Sequence, residues 1–100
     1  MATTKAHAPI TPGEILLTEF LQPLGITQYR LAKATGLSQT RIGEIVRGKR
    51  RITPQTGLRL ARALGLSERF WINVQADYDI ETEHDLHDDD LAKVEILVAS

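Results

Sequence analysis

No cysteine occurs among the 100 residues, so disulfides, thiolate zinc sites and thiol nucleophiles are excluded together. Stability must come from packing, and the absence agrees with a reducing compartment. No apolar run approaches the ~18 residues needed to cross a bilayer, and the N-terminal stretch MATTKAHAPITPGE lacks the apolar core of a signal peptide. A cytoplasmic protein is expected. A Gly-rich phosphate loop and an activated nucleophile are missing too, and there is no room for a second, catalytic domain, so an enzyme is not expected. His84, His87 and the run Asp88, Asp89 and Asp90 are metal-ligand residue types. Their spacing is generic and the run reads as solvated, so neither a metal nor another cofactor is expected. What is present, 42% hydrophobic and 25% charged residues, is the balance of one globular domain.

The formal net charge of -1 conceals a sharp division. Residues 1–76 carry eleven Lys and Arg against four acids, whereas residues 77–100 carry Lys93 alone against nine acids. Nine of the bases fall between Arg30 and Arg62 with only Glu44 opposing them, the footprint of a surface that meets phosphates.

Caps and apolar spacing predict five helices and an all-α fold. Thr11 caps the first, with Pro12 in its first turn; Leu17, Phe20, Leu21 and Leu24 form its apolar stripe, and Pro23 and Gly25 end it. Thr27 caps a short second helix with Leu31 and Ala32 inward, ended by Gly36; Ser38 caps a third with Ile42, Ile45 and Val46 on one face, ended by Gly48. Thr53-Pro54 starts a fourth with Leu58, Leu60, Ala61 and Leu64 inward, and Gly65 ends it. Ser67 and Glu68 open the fifth, where Phe70, Trp71, Val74 and Tyr78 share one side while Ile72 and Ala76 point elsewhere. Residues 94–98 fit either a short helix or a strand. The chain therefore divides into an arm over residues 1–10, a candidate for disorder, a helical domain over 11–80 and an acidic extension over 81–100.

Two short helices joined by a tight turn containing Gly, the second capped by Ser and polar outside, are the arrangement of a helix-turn-helix, so double-stranded DNA is the expected partner. The first helix (residues 27–36) braces the second (residues 38–47), which lies in the major groove. Gln39, Thr40, Arg41 and Glu44 on the outer face are the candidate base readers: Gln matches the adenine edge, Arg guanine, Glu the cytosine amino group, and the Thr methyl thymine. Gln28, Ser38, Arg47, Lys49, Arg50 and Arg51 are placed to hold phosphates. Gly43, in mid-helix, costs roughly 1 kcal/mol relative to Ala, which points to a close backbone approach or a locally soft helix. The surplus apolar face of the fifth helix, through Ile72, Ala76 and Tyr78, suggests the two-fold interface of a homodimer reading paired half-sites.

The stretch GITQYRLAKATGLSQTRIGEIVRGKRRITPQTGLRLARALGLS resembles the Cro/C1-type (xenobiotic-response-element) helix-turn-helix, through Gln28, Leu31, Ala32 and Gly36 and the later Ile45 and Gly48. The flanks PITPGEILLTEFLQPLGIT and SERFWINVQADYDIE are similar to the HigA antitoxin family, also called virulence-associated protein I, so that the resemblance covers roughly residues 9–81. It implies a five-helix, lambda-repressor-like domain. It further implies a dimeric antitoxin that neutralises a RelE-like, mRNA-cleaving HigB toxin and represses its own operon through operator DNA. On the family analogy the toxin docks on the first helix, at Ile15, Leu16 and Leu17. The alternative is a solitary transcription regulator of the same helix-turn-helix type without a toxin partner. The acidic tail after Glu81 carries no motif of the family.

Overall fold

The computed structural model describes residues 8–99, and the expectation of a disordered arm lies, for residues 1–7, outside them. The described chain is helical, with no strand: α1 over residues 12–24, α2 (Gln28–Thr35), α3 (Gln39–Val46), α4 (Pro54–Leu64) and α5 (Phe70–Ala92). Four N-termini are capped as their sequences foretell, by Thr11, Thr27, Ser38 and Thr53, each side chain accepting from the backbone three residues on. The glycines that follow the first four helices take left-handed φ between 65° and 76°, which only glycine adopts without strain.

In α1 a π-helical stretch, Leu16–Leu21, is followed by the α-turn Gln22–Leu24. A proline inside an α-helix clashes with the carbonyl four residues back. The wider π-turn accommodates Pro23, so the helix runs past it and stops at Gly25 instead. The extra residue per turn also shifts the phase of the apolar stripe: Leu16 is fully buried and Leu24 is 60% exposed, where an α-period puts Leu24 inside. In α4 the buried set is Thr56, Gly57, Leu60 and Ala61, and Leu58 lies outside.

One core joins all five helices through Leu16, Leu31, Ile42, Ile45, Leu60 and Trp71. Trp71 packs edge-on against Phe20 and Phe70, with ring centroids 5.5 and 5.0 Å away, an arrangement worth about 0.5–1.5 kcal/mol per pair beyond area burial. Gly13 sets the seat of α1 on α3: a Cβ there would stand 1.6 Å from the Ile45 carbonyl oxygen. Only hydrogen fits between them.

Beyond Asp79, α5 leaves the core and continues through the acidic segment to Ala92, exposed almost throughout. Residues 94–98 adopt neither the short helix nor the strand that their composition allows.

Candidate nucleic-acid interface

The bracing and reading helices are locked by local hydrogen bonds at every end. The Thr27 hydroxyl accepts from the Arg30 amide at 3.0 Å, and the Ser38 hydroxyl from the Arg41 amide at 3.0 Å. Between them Gly36, with φ 76°, turns the chain, and Leu37 plugs the turn into the core. Thr35, buried, donates to the Leu31 carbonyl at 2.8 Å and accepts from the Leu37 amide at 3.3 Å. At the far end of α3 the Gly48 amide donates to the Ile45 carbonyl and the Lys49 amide to the Glu44 carbonyl, the paired bonds of a Schellman turn.

This framework buries Ile42 and Ile45 and turns the opposite side of α3 to solvent. There Gln39, Thr40, Gly43 and Arg47 of α3, with Gln28 of α2, line one shallow, open and polar depression. The absence of a side chain at Gly43 makes it: a Cβ would stand 3.0 Å from Arg47 Nη1 and 3.4 Å from Gln28 Oε1. Among the described residues no other backbone approaches Gly43, contrary to the expectation of a close backbone approach; its neighbours are the ends of two side chains, Arg47 and Gln28. Glu44 borders the same face, partly exposed. Arg41, about 100° further round than Thr40 and towards Ile45, is half-buried at its edge.

The basic residues do not act as one track. The Arg59 guanidinium donates to the Thr35 carbonyl at 2.8 Å, closing the C-terminus of α2 from α4. Arg51, expected on phosphate, forms a two-pronged ion pair with Asp79 of α5 at 2.6 and 3.3 Å. Gln75, buried, completes this clamp: its amide donates to Asp79 at 3.0 Å while its oxygen accepts the Ile52 amide at 2.7 Å. The Arg51 hydrogen bond, with help from Gln75, holds the Asp79 carboxyl below the usual carboxylate range, and Asp79 raises Arg51 in turn. Arg50 donates through Nε to Glu44 Oε1 at 2.8 Å. Lys33 sits 5.8 Å over the Tyr29 ring. Among the described residues no ion pair engages Arg30, Arg41, Arg47 or Lys49, which leaves these four to supply positive potential around α3.

The residues expected at protein interfaces are scattered. Leu16 is fully buried in the core and offers no docking surface; Ile15 and Leu17 are half-buried against it. Leu16 lies one turn on from buried Pro12 and Gly13, on the side of α1 that seats against the core. Ala76 is exposed, Ile72 is half-buried beside Gly57, and Tyr78 lines a groove with Ile15 and Val74. His84 and His87 are occupied in i,i+4 contacts with Asp88 at 2.9 Å and Glu83 at 2.8 Å, and among the described residues no group of acids and histidines is arranged to hold a metal. No described helix is long and apolar enough to cross a membrane. Sequence reasoning missed the roles of Gln75, Asp79 and Arg59, because each acts on a partner 23 to 28 residues distant.

Comparison with known proteins converges on the same architecture. A family model described as helix-turn-helix matches residues 17–71. Virulence-associated protein I of Dichelobacter nodosus is 49% identical over 72 residues, covering 72% of this chain and 67% of that protein. Antitoxin HigA-1 of Vibrio cholerae is 38% identical over 80 residues, covering 80% and 74% respectively. Among solved structures, Pseudomonas aeruginosa antitoxin HigA with the higBA promoter superposes with a TM-score of 0.82 at 35% identity, over 90% of this chain and 99% of that one.

Proposed function

The chain belongs to the helix-turn-helix family of virulence-associated protein I and the HigA antitoxins, and on that footing we propose that it is an operator-binding repressor that also restrains a RelE-like HigB toxin in the cytoplasm. The observation that carries this reading is the outer face of α3. It is polar, capped at both ends, braced by α2 across the Gly36 turn, and flanked by uncompensated bases. A helix so held inserts in the major groove without first having to order itself. Gln39, Thr40 and Glu44 are the base readers, with Arg41 at the margin; Gln28, Ser38, Arg47 and Lys49 hold phosphates. A relative solved on its promoter supports the DNA-binding half of the proposal.

Two such faces on a two-fold axis read two half-sites, and the proximal half of α5, at Ile72, Ala76 and Tyr78, is the proposed contact between copies. Toxin restraint uses a surface away from α3. The test has two arms. The purified chain should protect a palindromic segment upstream of its own gene in a footprint, and it should co-purify with, and silence RNA cleavage by, the product of the adjacent gene. Protection without association identifies a solitary regulator; failure to protect any sequence removes the repressor reading altogether.

A further inference from the structure

We propose that Glu44 and Arg50 act as one base-reading unit, in which Glu44 reads a cytosine and Arg50 is the positioning residue that makes a carboxylate tolerable there. The inference rests on the DNA-reading function of α3 proposed above. Glu44 is the only acid between Arg30 and Arg62, and it sits where α3 would face the phosphate-lined groove. A bare carboxylate there is repelled by the duplex. The fold supplies the remedy locally. The Schellman turn at Gly48 folds the chain back, with the Lys49 amide on the Glu44 carbonyl at 2.8 Å. This return brings Arg50, six residues on, beside the Glu44 side chain.

The geometry of the pair leaves both partners with capacity to spare. Arg50 uses Nε, donating to Oε1 at 2.8 Å, so that Oε2 remains to accept and the terminal guanidinium nitrogens remain to donate. The side chains are 32% exposed for Glu44 and 48% for Arg50, open to a docked duplex. In the major groove a carboxylate can only accept. The cytosine amino group offers it a donor; adenine offers a donor with the N7 acceptor alongside, which repels it, and guanine and thymine offer acceptors. The free end of Arg50 then reaches a phosphate, tying base to backbone through one hydrogen-bonded chain.

Binding selection from a randomised duplex library, followed by titration of single-base variants, tests this with wild type, Glu44→Gln, Arg50→Ala and the double variant, each checked for folding by circular dichroism. Wild type should prefer cytosine at one position of the site by roughly 5- to 150-fold. Glu44→Gln should lose that preference and gain adenine, whose N6/N7 edge an amide matches. Arg50→Ala should lose discrimination at the same position, and lower the salt slope by about one unit. In the Glu44→Gln background, Arg50→Ala should leave the base preferences unchanged. If Arg50→Ala weakens all duplexes alike and keeps the cytosine preference, Arg50 is a phosphate contact alone and the unit is refuted. An unaltered profile for Glu44→Gln refutes it equally. If wild type selects no sequence at all, it is the DNA-reading function that fails.

Discussion

The helix pair α2–α3 and the distal half of α5 both present charged side chains to solvent, yet they hold their shapes by different means. Helices α2 and α3 have eight residues each, too few to persist alone in water. They exist because both ends are capped and because Leu31, Ala32, Ile42 and Ile45 are buried against the rest of the domain. Distal α5 buries almost nothing. It is extended from the packed turn at Trp71 and Gln75 and supported by the contacts of His84 with Asp88 and His87 with Glu83, pairs worth a few tenths of a kcal/mol each. At His87 its backbone already departs from helical geometry, with φ -135°. The positive face is therefore held by tertiary structure, whereas the contacts described for the histidines of the negative arm are local. A surface that must match base edges within a fraction of an ångström needs the first kind of support.

Substitutions in the two regions sharpen or break this contrast, beginning with the largest effect. Gly13→Ala forces a methyl into the Ile45 carbonyl and should cost about 3 kcal/mol or more, whereas Asp89→Ala in distal α5 should stay within about 0.5 kcal/mol. Denaturant midpoints give both numbers, and a Gly13→Ala protein as stable as its parent would mean that α1 does not brace α3 through this contact. Ser38→Ala removes the cap of the reading helix and should cost about 1 kcal/mol in the same titration.

Asp79→Asn comes next. The folded-state carboxyl lies below its unfolded value, so the Arg51–Asp79 pair stabilises the protein fully at neutral pH, and that contribution is lost as pH falls through the folded pKa, below the ordinary carboxylate range near about 4. For a pair this exposed it amounts to about 1 kcal/mol or less. The variant should lose that part of the acid sensitivity, and by releasing Arg51 it should steepen the salt dependence of DNA binding by up to about one unit. A salt slope unchanged from wild type would mean that Arg51 remains away from DNA even when unpaired. Smallest of all is Glu83→Gln, which should shift global stability by less than about 0.5 kcal/mol yet speed amide exchange over residues 83–92. Equal protection before and after would show that distal α5 is held by something other than its own side-chain pairs.

The legible parts of the fold were those encoded within three or four residues. The caps Thr11, Thr27, Ser38 and Thr53 and the terminating Gly36 and Gly48 all occupy the places their chemistry suggests. The bracing and reading helices, and the outward setting of Gln39 and Thr40, follow from them directly. The exposure of Leu24 does not, because a strict 3.6-residue period does not foresee a π-turn built around Pro23. Charge counting treated nine bases as one footprint; the fold draws off Arg51 and Arg59 to partners remote in sequence, and Arg50 to Glu44 across a turn. Likewise the acidic segment read as a separate extension, whereas α5 carries through it to Ala92 with one departure at His87. Composition says that such a stretch is solvated, not that it is unstructured.

The central claim is that the outer face of α3 reads base sequence, and it is tested most directly by comparing the affinities of wild type and the Gln39→Ala/Thr40→Ala variant for the operator and for an unrelated duplex of equal length. Neither residue is charged, and neither contributes to the core. Operator binding should weaken by about 1–3 kcal/mol for each base-edge interaction removed, while binding to the unrelated duplex stays as it was, since phosphate contacts are untouched. Equal weakening on both duplexes, or none on either, would contradict the assignment of this face as the sequence reader.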